Sequence, residues 1–166
     1  DLTETEHDQA SFDTYVYGSA EVVGLMCLAA FVHGKNYTKE EKIALVKGAR
    51  ALGSAFQKVN FLRDLSADFK RLGRSYFPNV NVANFDEETK ARLVADINAD
   101  LSVSALSLPL LPRSARPAVT AAQLLFTELN HKIGNTEAKK LIETRISVGN
   151  SKKLWLLAKS FLGAKP

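Results

Sequence analysis

Leu52-Gly53-Ser54-Ala55-Phe56-Gln57-Lys58-Val59-Asn60-Phe61-Leu62-Arg63-Asp64-Leu65-Ser66-Ala67-Asp68-Phe69-Lys70-Arg71 is the stretch from which the fold can be read. At roughly 100° per residue, Gln57, Asn60, Asp64 and Asp68 fall within an arc of about 80° and form one polar stripe. Leu52, Ala55, Phe56, Val59, Phe61, Leu62, Leu65 and Phe69 take most of the remaining circumference. A surface helix has a broad wet face; this one does not, so it reads as a central helix packed by others.

A narrow stripe of amides and carboxylates on such a helix needs hydrogen bonds, water or a cation, because unpaired buried polar groups cost several kcal/mol. Asp64 and Asp68 stand one turn apart and repel each other when both are ionised. A hard divalent cation relieves that repulsion; Mg²⁺ suits two carboxylates best and commonly bridges them to phosphate oxygens. A phosphate or diphosphate ester is therefore the natural substrate class, with Arg63, Arg71 and Arg74 available to grip its anionic oxygens. The same spacing recurs at Asp96 and Asp100, but with Glu88 and Arg92 these make the polar face of an amphipathic helix and are expected to face solvent. Glu4 and Asp8 likewise read as a charged terminus.

Working outward, the 166 residues are 46% hydrophobic and 24% charged, which fits one globular domain and excludes disordered or collagen-like chains. Strand patterns are nearly absent and the whole reads as all-α. A first helix is expected over residues 11–32, capped by Ser11 and stopped at Gly34. A second opens on the capping box Thr38-Lys39-Glu40-Glu41 and runs to Leu72, with Gly53 marking either a break or a close backbone approach. Residues 73–84 read as a loop, and a third helix spans about 86–106, capped by Asn84 or Asp86. A fourth covers 117–133 and ends on a left-handed Gly134; shorter helices follow over 137–144 and 151–162.

The apolar run around Cys27 is about 11 residues long, short of the ~20 needed to span a bilayer. Cys27 itself reads as a small core residue, and one cysteine excludes a disulfide framework. The acidic start lacks a secretory signal pattern, so a cytoplasmic location is expected. Net charge is +4, with seven basic residues and one acid after residue 138. That basic tail carries no nucleic-acid-reading motif and no interleaved stacking aromatics, so no nucleic-acid partner is expected. Leu154, Trp155, Leu157 and Phe161 beside the lysines suit a peripheral membrane contact, while plain core packing is the simpler expectation for Trp155 and Phe161.

The pattern Gln57-x-x-Asn60-x-x-Arg63-Asp64-x-x-x-Asp68, followed by Arg74-x-Tyr76-x-Pro78, closely resembles the second aspartate-rich motif of the squalene/phytoene synthase family. Tyr15-Val16-Tyr17-Gly18-Ser19-Ala20-Glu21-Val22-Val23-Gly24 is similar to that family's tyrosine helix, and Thr144-Arg145-Ile146-Ser147-Val148 with Lys152-Lys153-Leu154 resembles its last helices. The resemblance implies an isoprenoid synthase-type helical bundle, here its C-terminal part, that joins two prenyl diphosphates head to head through a cyclopropylcarbinyl diphosphate. It implies Mg²⁺, or Mn²⁺ in its place, on Asp64 and Asp68. Tyr15 would be the catalytic tyrosine, acting with Asn60, Arg63, Asp64 and Asp68. Gln57, Asn60, Arg63, Arg71, Arg74 and Tyr76 would bind the diphosphate, and Gly18, Ser19 and Val22 would leave room for the hydrocarbon.

Glu21, Val16 and Phe126 depart from the family's usual Gly, Cys and Tyr, which bears on product and chain length. The first aspartate motif of the family lies upstream of the tyrosine helix. The chain alone is therefore expected to be inactive, to expose apolar faces, and to pair with a second copy or with an N-terminal half. Phytoene from geranylgeranyl diphosphate is the leading product; squalene or dehydrosqualene from farnesyl diphosphate is the alternative, and a non-catalytic isoprenoid-binding or split-enzyme subunit is a third reading.

Overall fold

The computed structural model describes residues 8–72 and 76–163, without the side chains of residues 68–72. Helix α1 (Gln9–Val16) starts at Asp8, whose carboxylate accepts the Ser11 N–H at 2.7 Å. The cap is thus Asp8, not Ser11: a carboxylate in extended conformation three residues upstream reaches an orphan N–H of the first turn, and Ser11 is already helical.

A π-helical turn, Tyr17–Glu21, joins α1 to α2 (Val22–Val32). Together they make one continuous helix, Gln9–Val32, of 24 residues. This revises the estimate from the short apolar run: by length and composition this helix and Glu87–Leu110 are long enough to cross a bilayer, a test the core helices of bundles also pass. The helix stops at Gly34, whose φ of +69° only glycine adopts cheaply.

Helix α3 (Lys39–Leu72) has the predicted bounds and the predicted cap. Thr38 Oγ1 accepts the Glu41 N–H at 3.1 Å while Glu41 Oε2 accepts the Thr38 N–H at 2.9 Å. Next comes α4 (Glu87–Ser107), capped by Asp86 through Thr89 N–H at 2.8 Å. Helix α5 (Arg116–Gly134) carries Pro117 in its first turn, where a missing N–H costs nothing. Its C-cap is Asn135 at φ −86°, so Gly134 is an ordinary helical residue and the expected left-handed glycine end is absent. The chain closes with a single turn, α6 (Ala138–Leu141), and with α7 (Asn150–Phe161). No strand occurs among the described residues.

Helix α3 is the axis around which the π turn, α2, α4 and α5 pack. Ala55, Val59 and Leu62 are fully buried in one cluster with Ile97 of α4 and Ile133 of α5. Each large aliphatic side chain buried there contributes about 1.5–3 kcal/mol. Of the two alternatives at Gly53, the structure has the close approach. A Cβ there would lie 2.6 Å from the Ala20 carbonyl oxygen, and one at Gly24 would lie 2.5 Å from that of Ala49. These two glycines let the first helix lie directly on α3.

Three expectations about exposure are corrected. Asp96 and Asp100 do not simply face solvent: Lys58 Nζ stands 2.6 Å from Asp96 Oδ2 and 2.9 Å from Asp100 Oδ2, and Ser54 Oγ donates to Asp100 at 2.7 Å. Lys58 is a largely buried lysine on the edge of α3 and needs counter-charges from α4. Burial lowers its pKa, but the hydrogen bonds to Asp96 and Asp100 outweigh that and hold it above the usual lysine value. Cys27 is exposed rather than in the core. Trp155 and Phe161 are exposed as well, because α7 buries only Leu156 and Ser160 as it packs on α5.

Candidate active site

The stripe residues on α3 differ in their surroundings. Gln57 and Asn60 are partly buried, and the Asp64 side chain is 25% exposed. Arg63 grips Asp64 in a fork, with Nη2 2.5 Å from Oδ2 and Nε 3.2 Å from Oδ1. Arg145 adds Nε at 2.6 Å from Oδ1. Burial pushes the Asp64 carboxyl up, but the hydrogen bonds and positive charges of Arg63 and Arg145 outweigh it and hold the group below the usual carboxylate range. Asp64 is therefore ionised at neutral pH.

Arg145 is the residue that sequence spacing alone did not assign to the site. Its only signal was the Thr144-Arg145-Ile146-Ser147-Val148 run, because its partner lies 81 positions away. The side chains of Asp68 and Arg71, and the whole of Arg74, lie outside the described residues.

Tyr15 and Tyr76 do come together, around Phe61 of α3. Their ring centroids are 5.8 Å apart; Phe61 lies 5.9 Å from Tyr15 and stacks on Tyr76 at 4.5 Å with a 9° interplanar angle. Phe61 sits one turn before Asp64, so an aromatic wall stands beside the anionic end of the stripe. Such faces carry negative potential suited to shelter a developing cation.

On the same helix, one turn before Gln57 and Asn60, Leu52, Gly53 and Phe56 line an apolar cavity of about 430 Å³. Ser19, Val23 and Cys27 line it; Gly18 and Val22 do not. The π turn explains the shift: its extra residue rotates the following helix by about one position, bringing Val23 rather than Val22 to the cavity. Phe126 stacks on Phe56, a residue of the cavity lining, at 3.8 Å. Glu21 points elsewhere: it pairs with Arg50, Nε to Oε2 at 2.5 Å, and Arg50 in turn lies over the Tyr17 ring at 5.3 Å.

Among the described residues no three His, Cys, Asp or Glu side chains converge. The donors at hand are hard oxygens, the ionised Asp64 carboxylate and the Asn60 amide one turn before it, and this chemistry fits Mg²⁺ or Mn²⁺.

An all-α bundle with a central helix carrying amide and carboxylate oxygens next to an apolar cavity is the architecture of an isoprenoid synthase. The crystal structure of a dehydrosqualene synthase in complex with ligand superposes with a TM-score of 0.73 at 21% sequence identity. The match covers 96% of this chain and 59% of that one, so the chain spans less than two thirds of that protein's length. The family model for squalene/phytoene synthases matches residues 1–150, and the chain belongs to that family. No curated protein matches it in sequence.

Proposed function

We propose that this chain supplies the second aspartate-motif wall of a prenyltransferase that condenses two prenyl diphosphates head to head. The observation that carries the reading is the order of features along α3: apolar cavity, then Gln57 and Asn60, then an Asp64 held ionised between two arginines. A hydrocarbon tail fits the first part and a diphosphate head the last.

Asp64, Asn60 and, by its place in the motif, Asp68 would hold Mg²⁺, with Mn²⁺ as the alternative; bound there, the ion neutralises diphosphate charge and eases departure of the leaving group. Arg63 and Arg145 would turn from Asp64 to the phosphate oxygens as the substrate arrives, because both charges then find stronger partners. Arg71 and Arg74 are proposed to bind the same oxygens. Tyr15, backed by Phe61 and Tyr76, would face the reacting carbons. The apolar lining of the cavity would keep water from the hydrocarbon and from the carbocation it would otherwise trap.

Geranylgeranyl diphosphate, giving phytoene, is the proposed substrate. Farnesyl diphosphate, giving squalene or dehydrosqualene, is the alternative. Calorimetric titration with both diphosphates, with and without Mg²⁺, tests the site without requiring turnover. Asp64→Asn should weaken Mg²⁺-dependent binding by about tenfold to a hundredfold, the scale of a charge-assisted contact of about 1.5–3 kcal/mol. Undiminished binding by that variant would remove the proposed metal role. Product analysis on a full-length version then separates phytoene from squalene-type hydrocarbons.

A further inference from the structure

The apolar cavity ends against a turn that two side chains hold from outside it. Of the α3 residues in its lining, Phe56 is nearest to Asp64 and Leu45 farthest, about 16 Å apart at 1.5 Å per residue. At Leu45 the lining becomes a small core of its own. Leu28, Leu45, Leu108 and Leu111 are buried together there, separate from the cluster that surrounds Val59 and Leu62. Leu108 and Leu111 come from the connection between α4 and α5, a single 3₁₀ turn over Leu108–Leu110 and the residue after it. Gly48 fixes where that connection starts. A Cβ there would lie 1.9 Å from Ser107 Oγ and 2.4 Å from Ser107 Cβ, so α4 ends in direct contact with α3.

Three successive carbonyls of the connection are taken by side chains. Arg116 Nη2 donates to the Pro109 oxygen at 2.5 Å and to the Leu111 oxygen at 2.8 Å. Tyr37, between α2 and α3, donates its hydroxyl to the Leu110 oxygen at 3.2 Å and packs its ring on the leucine cluster. Arg116 stands in the first turn of α5, where the helix dipole disfavours a cation, and its Nε is buried without a hydrogen bond. Its Nη2 contacts with the turn offset both costs. Neither Arg116 nor Tyr37 lines the cavity, so any effect they have on its contents passes through the turn.

We propose that Arg116 and Tyr37 are positioning residues for chain length: by holding the turn they fix Leu108 and Leu111 as the wall that the last isoprene unit of a prenyl chain meets. The inference rests on the reading that this cavity takes the prenyl chain. A single methylene too many in an apolar pocket already costs about tenfold or more in discrimination. A chain one isoprene unit too long presses on a wall that retreats only by breaking these three hydrogen bonds.

Farnesyl, geranylgeranyl and geranylfarnesyl diphosphates, titrated calorimetrically into the whole chain with Mg²⁺, should show one step at which affinity falls by about tenfold or more. Arg116→Met should recover about tenfold at that step and bind the shorter chains as the wild type does. Arg116→Lys should keep the step, because one nitrogen makes both contacts and an ammonium group can do the same. Tyr37→Phe, the milder variant, should act in the direction of Arg116→Met and by less. Without any ligand, the Leu111 amide, which donates to the Leu108 oxygen at 3.1 Å, should exchange its hydrogen faster in Arg116→Met. Alkylation of Cys27, the only cysteine and exposed on the cavity wall, should block binding and separates the two ways of failing. If no chain binds, or alkylation changes nothing, the reading of the cavity falls and the inference with it. If alkylation blocks binding, the inference alone is overturned by a series without a step, by an Arg116→Met variant that alters no chain or every chain alike, or by unaltered exchange at Leu111.

Discussion

Arg145 Nε lies 2.6 Å from Asp64 Oδ1, tying the segment before α7 to the central helix across 81 positions of sequence. Arg145 is 63% exposed on its side chain, so solvent screens the pair and its contribution to stability is only about 0.2–1 kcal/mol. Its effect on Asp64 is electrostatic, and Arg145→Ala should move the Asp64 carboxyl pKa upward, read by carbon NMR of the labelled carboxylate. The sign of the pH dependence follows. A folded-state pKa below the unfolded one gives stability that is present above about pH 4 and is lost as pH falls through the folded value. Between pH 6 and 8 the wild-type and Arg145→Ala proteins should therefore differ by a constant amount.

Lys58 joins α3 to α4 more firmly, because its side chain is only 12% exposed. Lys58→Ala leaves Asp96 and Asp100 without their cation at a partly buried seam and should cost about 2 kcal/mol in urea unfolding. The double variant Lys58→Met with Asp100→Leu should recover most of the loss, since the less exposed carboxylate is removed and Asp96, 56% exposed, is left to water. The lysine pKa is raised in the folded state, so its contribution is complete below the unfolded value near 10.5 and fades as pH rises through the folded one. The stability deficit of Lys58→Ala should therefore be full at neutral pH and shrink at alkaline pH, where the wild type loses the same contribution. A pH-independent difference would sink that assignment.

What sequence could disclose here depended on distance along the chain. The Thr38–Glu41 box, the Asp86 cap and the stripe from Gln57 to Asp64 are set by neighbours within a turn or two, and each stands where spacing places it. Lys58 with Asp100 and Asp64 with Arg145 are 42 and 81 positions apart, and no periodicity links them. The stripe could be recognised, yet which cations hold its carboxylate could not. The π turn was invisible for a related reason. Nothing in Tyr17-Gly18-Ser19-Ala20-Glu21 demands an extra residue, but Ala20 and Glu21 press against Gly53 of α3, and a wider turn accommodates that approach. One misplaced residue was enough to exchange Val22 for Val23 at the cavity. Trp155 and Phe161 were misread because apolar periodicity states that a helix has an apolar side and is silent on whether that side faces the core.

Two glycines in helices should respond to the same substitution with opposite sign. Alanine is favoured over glycine in a helix by about 1 kcal/mol, from propensity alone. At Gly134 nothing opposes that gain: the backbone is helical, and an added Cβ meets only Val94 Cγ1 at an ordinary 3.5 Å. Gly134→Ala should therefore stabilise, by about 0.5 kcal/mol so close to the helix end. At Gly53 the added Cβ would sit 2.6 Å from the Ala20 carbonyl oxygen and 3.0 Å from the Glu21 Cα, both backbone atoms that cannot swing aside. The first helix must then move off α3, and overpacking of this kind costs about 1–3 kcal/mol, more than propensity returns. Gly53→Ala should lower the urea midpoint, and because Ala20 and Gly53 both line the apolar cavity, it should also weaken binding of a prenyl chain. Stabilisation by Gly53→Ala would mean that the two helices are not in contact there.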